Sequence, residues 1–253
     1  MFTNAIVRTP CKKMVKGITT ANEGLPDYQT ALIQHKIYTD ALKSCGLEIT
    51  TLPPIDKYPD STFVEDAALL TPVCGIVMRP GVQSRRKETQ SIKRVISDFY
   101  EDIEEIKVPG TVEGGDVMMV DSHYFIGLSD RTNQEGAEQL INLLNKYGLT
   151  ASTIKLKKGL HLKSEAAYLG HNNLVVSIQF YEEPDFKKFN LLKITEKERY
   201  AANCVWINNR VLVPKGYPES KETIVNAGYE VIEFDMSEFK KLDGGISCLS
   251  LRF

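Results

Sequence analysis

Cysteine is sparse and badly placed for cross-linking. Cys11, Cys45, Cys74, Cys204 and Cys248 are odd in number, far apart, and never form a CxxC pair. Such a set argues against a disulfide framework and a zinc knuckle, and it suits reduced thiols in an intracellular, cytoplasmic setting. Excess charge of either sign is also lacking. The formal net charge is −2 over 253 residues, so no bulk attraction to nucleic acid or to an anionic membrane is expected. No apolar window reaches the length of a membrane span. The opening "MFTNAIVRTP" has neither the basic start nor the long apolar core of a signal peptide. No Pro/Ser-rich linker or low-complexity tract divides the chain, which we read as one domain, 1–253. What is present is a globular balance, 42% hydrophobic and 25% charged, in a chain long enough to bury a sizeable core.

Element order carries a repeat. "DYQTALIQHKIYTDALKSC" (27–45) reads as a helix with Tyr28, Ala31, Leu32, His35, Tyr38, Ala41, Leu42 and Cys45 on one face, ended by Gly46. His35 on that apolar stripe reads as a core histidine. The strand "LEITTLP" follows. Then come strands "AALLTP" and "CGIVMRP", a helix from about Arg85 to Tyr100, and the strand "IEEIKVP". The same strand–strand–helix–strand order returns three times. "DVMMV" and "YFIGL" precede a helix over 132–147 and "TASTIKL". "AAYLG" and "LVVSIQF" precede a short helix near 184–189 and "LLKIT". "CVWIN" and "RVLVP" precede a helix over 218–227 and "YEVIEF". Asp121-Ser122, His171-Asn172-Asn173 and Asn208-Asn209 supply the residues that tight hairpin turns favour. Helix 27–45 has only "NAIVRT" ahead of it, while "ISCLSLRF" is left over at the end. Pairing these two strands completes a fifth unit and removes the exposed edges of a linear array. The expected fold is α/β: a five-unit, pseudo-symmetric α/β propeller closed by its first and last strands.

Polar residues gather just ahead of each unit's first strand: "DSTFVEDA" (60–67), "GTVEGGDV" (110–117), "GLHLKSEAA" (159–167), "ERYAANC" (198–204) and "LDGGISC" (242–248). Rotational symmetry would bring Asp60, Glu65, Asp66, Glu113, Asp116, His161 and Cys248 to one central cavity. Singly, each has a plainer reading. Cys248 could be a small buried residue in a last strand, Asp60 a turn cap, Asp116 a loop brace and His161 a packed core histidine. Together they suggest a thiolate attacking an electrophilic carbon. Carboxylates beside a thiol disfavour the thiolate, but they suit a cationic electrophile. A guanidinium is both cationic and attackable, and two carboxylates can grip its N–H array. A metal would be the rival use of acids and histidine, but no HxxH or HxxxH spacing occurs.

The ordered motifs "LPPIDKYPDSTFVEDA", "RPGVQSRRKET", "GTVEGGDVMMV", "IGLSDRTNQEGAEQ", "LHLKS", "YAANCVWIN" and "LDGGISCLSLRF" run essentially end to end. In them the chain resembles the guanidino-group-modifying superfamily, specifically the bacterial-type dimethylarginine dimethylaminohydrolases, whose fold is a five-unit α/β propeller. The resemblance implies a cofactor-free, metal-free hydrolase that turns Nω-methylated arginine into citrulline and an alkylamine. Cys248 would be the nucleophile, His161 the general acid and base, and Glu113 its acidic partner. Asp66 would grip the guanidinium with Glu65 nearby, Asp60 would receive the α-amine, and Arg85 and Arg131 would bind the α-carboxylate. "VKGITTANEG" matches the family's lid, with Ile18 meeting substrate, and Phe63 would line the pocket. A small-molecule substrate is implied, with no nucleic acid and no membrane, and a homodimer is compatible. Arginine deiminases carry an extra helical domain and amidinotransferases are longer, so both fit a chain of this length poorly. A silent arginine-binding propeller would have no use for the cysteine.

Overall fold

A computed structural model describes residues 1–253. Its architecture is α/β, built as five small mixed sheets of three strands each. Strand β1 (Asn4–Arg8) is followed by helix α1 (Tyr28–Ser44) and β2 (Glu48–Leu52). The Asp27 carboxylate caps α1 by accepting from the Thr30 N–H at 2.7 Å. At the other end Gly46 takes φ +89°, the left-handed backbone that closes a helix. The next unit is β3 (Ala68–Leu70), β4 (Gly75–Val77), α2 (Thr89–Ile96) and β5 (Ile103–Glu105). It is followed by β6 (Val117–Val120), β7 (His123–Leu128), α3 (Gln134–Lys146) and β8 (Thr150–Lys155). Strands β9 (Ala166–Tyr168), β10 (Asn173–Val176) and β11 (Asn190–Lys193) form the fourth sheet. Strands β12 (Val205–Ile207) and β13 (Arg210–Pro214), helix α4 (Pro218–Asn226) and β14 (Glu230–Phe234) form the fifth. A short helix α5 (Ser237–Lys240) leads to the last strand, β15 (Ser250–Arg252).

Every sheet has the same wiring: an antiparallel first pair, then a parallel crossover to the third strand. The unit that lacked a partner is completed across the chain, since β1 pairs antiparallel with β15 through Ala5↔Arg252, Ile6↔Leu251 and Val7↔Ser250. First strands are neighbours between units, with β15 against β3, β6 against β9 and β9 against β12, while α1–α4 each pack on their own sheet or its edge. This arrangement is consistent with a pseudo-five-fold propeller. The apolar side chains form five separate clusters, as stacked sheet–helix units require, rather than one central core. His35 is buried in α1, and desolvation lowers its pKa to about 4, so it is a neutral packed histidine.

The sequence reading needs four corrections, the first being that "LVVSIQF" is strand only as far as Val176 and becomes a 3-10 turn over Ile178–Phe180. The helix expected over 85–100 is shorter, because Gln83–Arg85 forms its own 3-10 turn and only Thr89–Ile96 is α-helical. That separate turn lets Arg85 bury its guanidinium while Ile92 and Ile96 face the sheet. Near 184–189 there is only a 3-10 turn, Pro184–Phe186. Finally, "ISCLSLRF" is not strand throughout: Ser247–Leu249 is a 3-10 turn, so Cys248 lies ahead of the strand. That last turn belongs to a pattern that was not foreseen. Each unit's first strand is preceded by a 3-10 turn: Val64–Ala67, Gly114–Asp116, Leu162–Ser164, Glu196–Ala202 and Ser247–Leu249.

Candidate active site

Four of those five turns carry or adjoin the chemistry-bearing groups. Asp66 lies within the first, Glu113 immediately precedes the second, His161 precedes the third, and Cys248 sits in the last. They line one small cavity of about 30 Å³ together with Asp60, Arg85, Arg131, Phe63 and Ile18. A volume near that of one water molecule leaves no room for an arginine-sized ligand until something moves.

The tight turns need glycine at two places. A side chain at Gly115 would bring its Cβ within 2.5 Å of His161 Nδ1, and one at Gly244 would come 2.3 Å from the Phe63 ring. Only a bare backbone lets the imidazole and the phenyl ring approach this closely. His161 Nε2 shares a 2.7 Å hydrogen bond with Glu113 Oε2 and lies 3.9 Å from Asp66 Oδ1. The other Glu113 oxygen accepts the Gly81 N–H at 3.1 Å and lies 3.8 Å from Arg131 Nη1.

These surroundings set the charges. Burial works against an imidazolium at His161, but the carboxylates of Asp66, Asp116 and Glu113 outweigh it and raise the pKa to about 9. Burial also opposes ionisation of Glu113, yet the His161 hydrogen bond and the nearby arginines hold its carboxyl below the usual range. The Cys248 thiol is pushed up to about 12 by burial and by the charges of Glu65 and Asp66. At neutral pH the site therefore rests as thiol and imidazolium. The other four cysteines are also free, and all are buried. Burial raises the Asp60 carboxyl, with Arg85 pulling it back.

Arg85 lines the cavity but is already held by groups around it. Its guanidinium donates from Nη1 to Asp66 Oδ2 at 2.6 Å and from Nη2 to the carbonyls of Phe63 (2.9 Å) and Asp60 (3.3 Å). Nε and Nη2 also reach Glu88 Oε2, at 3.2 and 3.0 Å. Most of its fork is thus spent on Asp66, Glu88 and two backbone carbonyls, whereas Arg131 is less engaged. Ile18 donates its backbone N–H to Asp60 Oδ1 at 2.8 Å, which closes the "VKGITTANEG" segment over the cavity. That segment is tied down further where Asp243 Oδ2 accepts from the Thr20 N–H at 2.5 Å and Thr19 Oγ1 donates to the Lys241 carbonyl at 2.8 Å.

Two acids expected at the cavity are elsewhere. Glu65 lines a second cavity, because consecutive residues of the Val64–Ala67 turn point to opposite sides. Its carboxylate pairs with Lys163 (2.6 Å) and Arg252 (3.0 Å) and accepts from Ser247 Oγ at 2.7 Å. Asp116 is a brace, accepting from Ser129 Oγ (2.6 Å), Thr132 Oγ1 (2.7 Å) and the Leu162 N–H (2.9 Å). Conversely, Leu160, Leu242 and Asp243 line the cavity although the sequence did not single them out. Only Asp243, directly ahead of the Gly-Gly pair, carried a signal. Glu88, three residues beyond Arg85, was missed as well.

Asp66, Glu113 and His161 place ligand atoms within 4.8 Å of one another, close enough to bind a metal ion. The same carboxylates already face the cationic Arg85 and Arg131, a charge-balanced setting that fits a cationic metal poorly. The arrangement offers a thiol, a histidine hydrogen-bonded to a carboxylate, and a further carboxylate able to receive a cationic group.

The family model described as N,N dimethylarginine dimethylhydrolase, eukaryotic, matches residues 19–251. The chain is 52% identical over 254 residues to N(G),N(G)-dimethylarginine dimethylaminohydrolase of Pseudomonas aeruginosa, covering all of both chains. It also superposes with a TM-score of 0.99, at 51% identity and full coverage of both chains, on that organism's enzyme in a mutant form complexed with citrulline. A dimethylarginine dimethylaminohydrolase variant in an adduct with S-methyl-L-thiocitrulline gives the same TM-score, identity and coverage. With the thiol, the histidine–carboxylate pair and the fold in agreement along its whole length, the chain belongs to the dimethylarginine dimethylaminohydrolase family.

Proposed function

We propose that this protein hydrolyses Nω-methylarginine and asymmetric Nω,Nω-dimethylarginine to citrulline and methylamine or dimethylamine. The observation that carries this reading is that Cys248, the His161–Glu113 pair and Asp66 line a single cavity. The whole chain serves as one catalytic domain whose five units close into a ring. Its five free cysteines suit a cytoplasmic setting.

The guanidinium enters between Asp66 and Glu113, the α-amine meets Asp60, and Arg131 takes the α-carboxylate with Arg85 adding at most its remaining Nη1–H. Arrival of a cation beside Cys248 offsets the acidic neighbours and favours loss of the thiol proton to solvent. The thiolate forms a C–S bond to the guanidinium carbon. As the C–N bond to the methylated nitrogen breaks, the His161 imidazolium gives that nitrogen its proton. A cationic thiouronium remains on Cys248. Neutral His161 then takes a proton from water as the oxygen adds to the same carbon. The C–S bond breaks, the hydroxyl proton returns to sulfur, and citrulline leaves. Leu160, Leu242, Phe63 and Ile18 supply apolar lining against which N-methyl groups can lie.

Citrulline release from arginine and from its monomethyl, asymmetric dimethyl and symmetric dimethyl forms tests the reading. Methylating both terminal nitrogens removes an N–H that a buried carboxylate needs, which costs about 1–3 kcal/mol, roughly 5- to 150-fold. Monomethyl and asymmetric dimethyl substrates should lead, with the symmetric form nearly inert. Arginine as the best of the four would replace this reading with a deiminase.

A further inference from the structure

The three turns that reach the catalytic cavity with Asp66, Glu113 and Cys248 present their neighbours, Glu65, Gly114 and Ser247, to a second cavity of about 750 Å³. The two cavities share no lining residue. The second lies among the first strands of the units, with Ala68–Leu70, Val117–Met119, Val205 and Ser250 on its walls. Its volume is that of a site for a small organic ligand, and its lining is mostly apolar. We propose that it binds a small amphipathic anion: a carboxylate bearing an aromatic or branched apolar body.

Charge at the floor selects the sign. Lys163 Nζ and Arg252 Nη2 approach the same oxygen of Glu65, at 2.6 and 3.0 Å, while the second oxygen is taken by Ser247. Two cations therefore share one carboxylate in a largely buried place, which leaves one positive charge without a counter-charge. Asp121, the other acidic lining residue, lies on the exposed turn between β6 and β7 and does not neutralise the floor. Trp206 lies on the wall. With Tyr168 it supplies aromatic surface for an apolar body. A carboxylate meets the charge and an apolar tail meets the walls. An ammonium compound would face the unmatched cation.

Trp206 is the only tryptophan of the chain, so its fluorescence reports this cavity directly. The experiment titrates the intact protein with 4-phenylbutyrate, 4-phenylbutylamine and 4-phenylbutanol, each with and without saturating citrulline. The acid should give a saturable change with a dissociation constant below about 1 mM, at least about fivefold tighter than the amine or the alcohol. Citrulline should leave that constant unchanged. No saturable signal, equal binding of the amine, or displacement by citrulline, which would put the anion in the catalytic cavity, each overturns the proposal.

Discussion

Glu113 serves two masters at the scale of a single residue: one oxygen holds His161, and the other meets the Gly81 N–H and Arg131. Glu113→Gln keeps the shape but removes the charge that favours the imidazolium, so kcat should fall by roughly 100-fold or more in steady-state assays. Cys248→Ser should fold and lose nearly all turnover, while serine at Cys11, Cys45, Cys74 or Cys204 leaves the chemistry in place. Acid-quenched wild-type turnover should carry its covalent adduct on Cys248 alone by mass spectrometry. The raised His161 pKa also has a consequence for stability. A histidine at about 9 when folded and 6.5 when unfolded contributes fully below pH 6.5, and the contribution fades as pH rises through 9. The span is worth about 3 kcal/mol at 1.36 kcal/mol per unit. Urea midpoints of the wild type should drop over that window, and His161→Phe should flatten the drop. Residue identities were legible because cysteine, histidine and acids stood at matching places in a repeat. How far Arg85 is already engaged was not legible, because its partners, Asp66 and Glu88, lie on separate elements, and sequence spacing does not say which donors of a guanidinium are spent.

Elements were most legible where hydrophobic period and punctuation agreed. Helix α1 runs almost over the expected span, with Asp27 and Gly46 as its stops, and the hairpin turns carry positive φ at Asp121, Asn172 and Asn208. The 3-10 turns were illegible, because four of them span only three or four residues and the fifth, Glu196–Ala202, is kinked at Glu198, so none has a period to show. Their geometry sends Asp66 one way and Glu65 the other. The lid is the element whose grip can be tested apart from the chemistry. Asp243 holds Thr20 through both its N–H (2.5 Å) and its hydroxyl (3.0 Å), from a left-handed backbone at φ 57°. Asp243→Gly removes the carboxylate and suits that backbone. Loss of an exposed charge-assisted tie is worth about 1 kcal/mol, so KM should rise about fivefold with kcat nearly unchanged. Limited proteolysis within 18–24 should quicken in the same variant.

At the scale of the whole molecule, the repeat alone implied five units and the pairing of the first and last strands, because an unfinished unit and an orphan strand need each other. The second cavity and its floor could not be inferred that way. Arg252 meets Glu65 across 187 positions, and no local pattern announces it. Four units supply Asp66, Glu113, His161 and Cys248, whereas the turn before β12 contributes Asn203, whose amide donates to Ser247 Oγ at 3.0 Å. Turnover is therefore a coincidence signal: it registers only when four separately packed sheets stand in register at once. Partial opening of any one silences it while most amides stay protected. In a urea series, citrulline formation should vanish at a lower concentration than the far-ultraviolet circular dichroism of the strands.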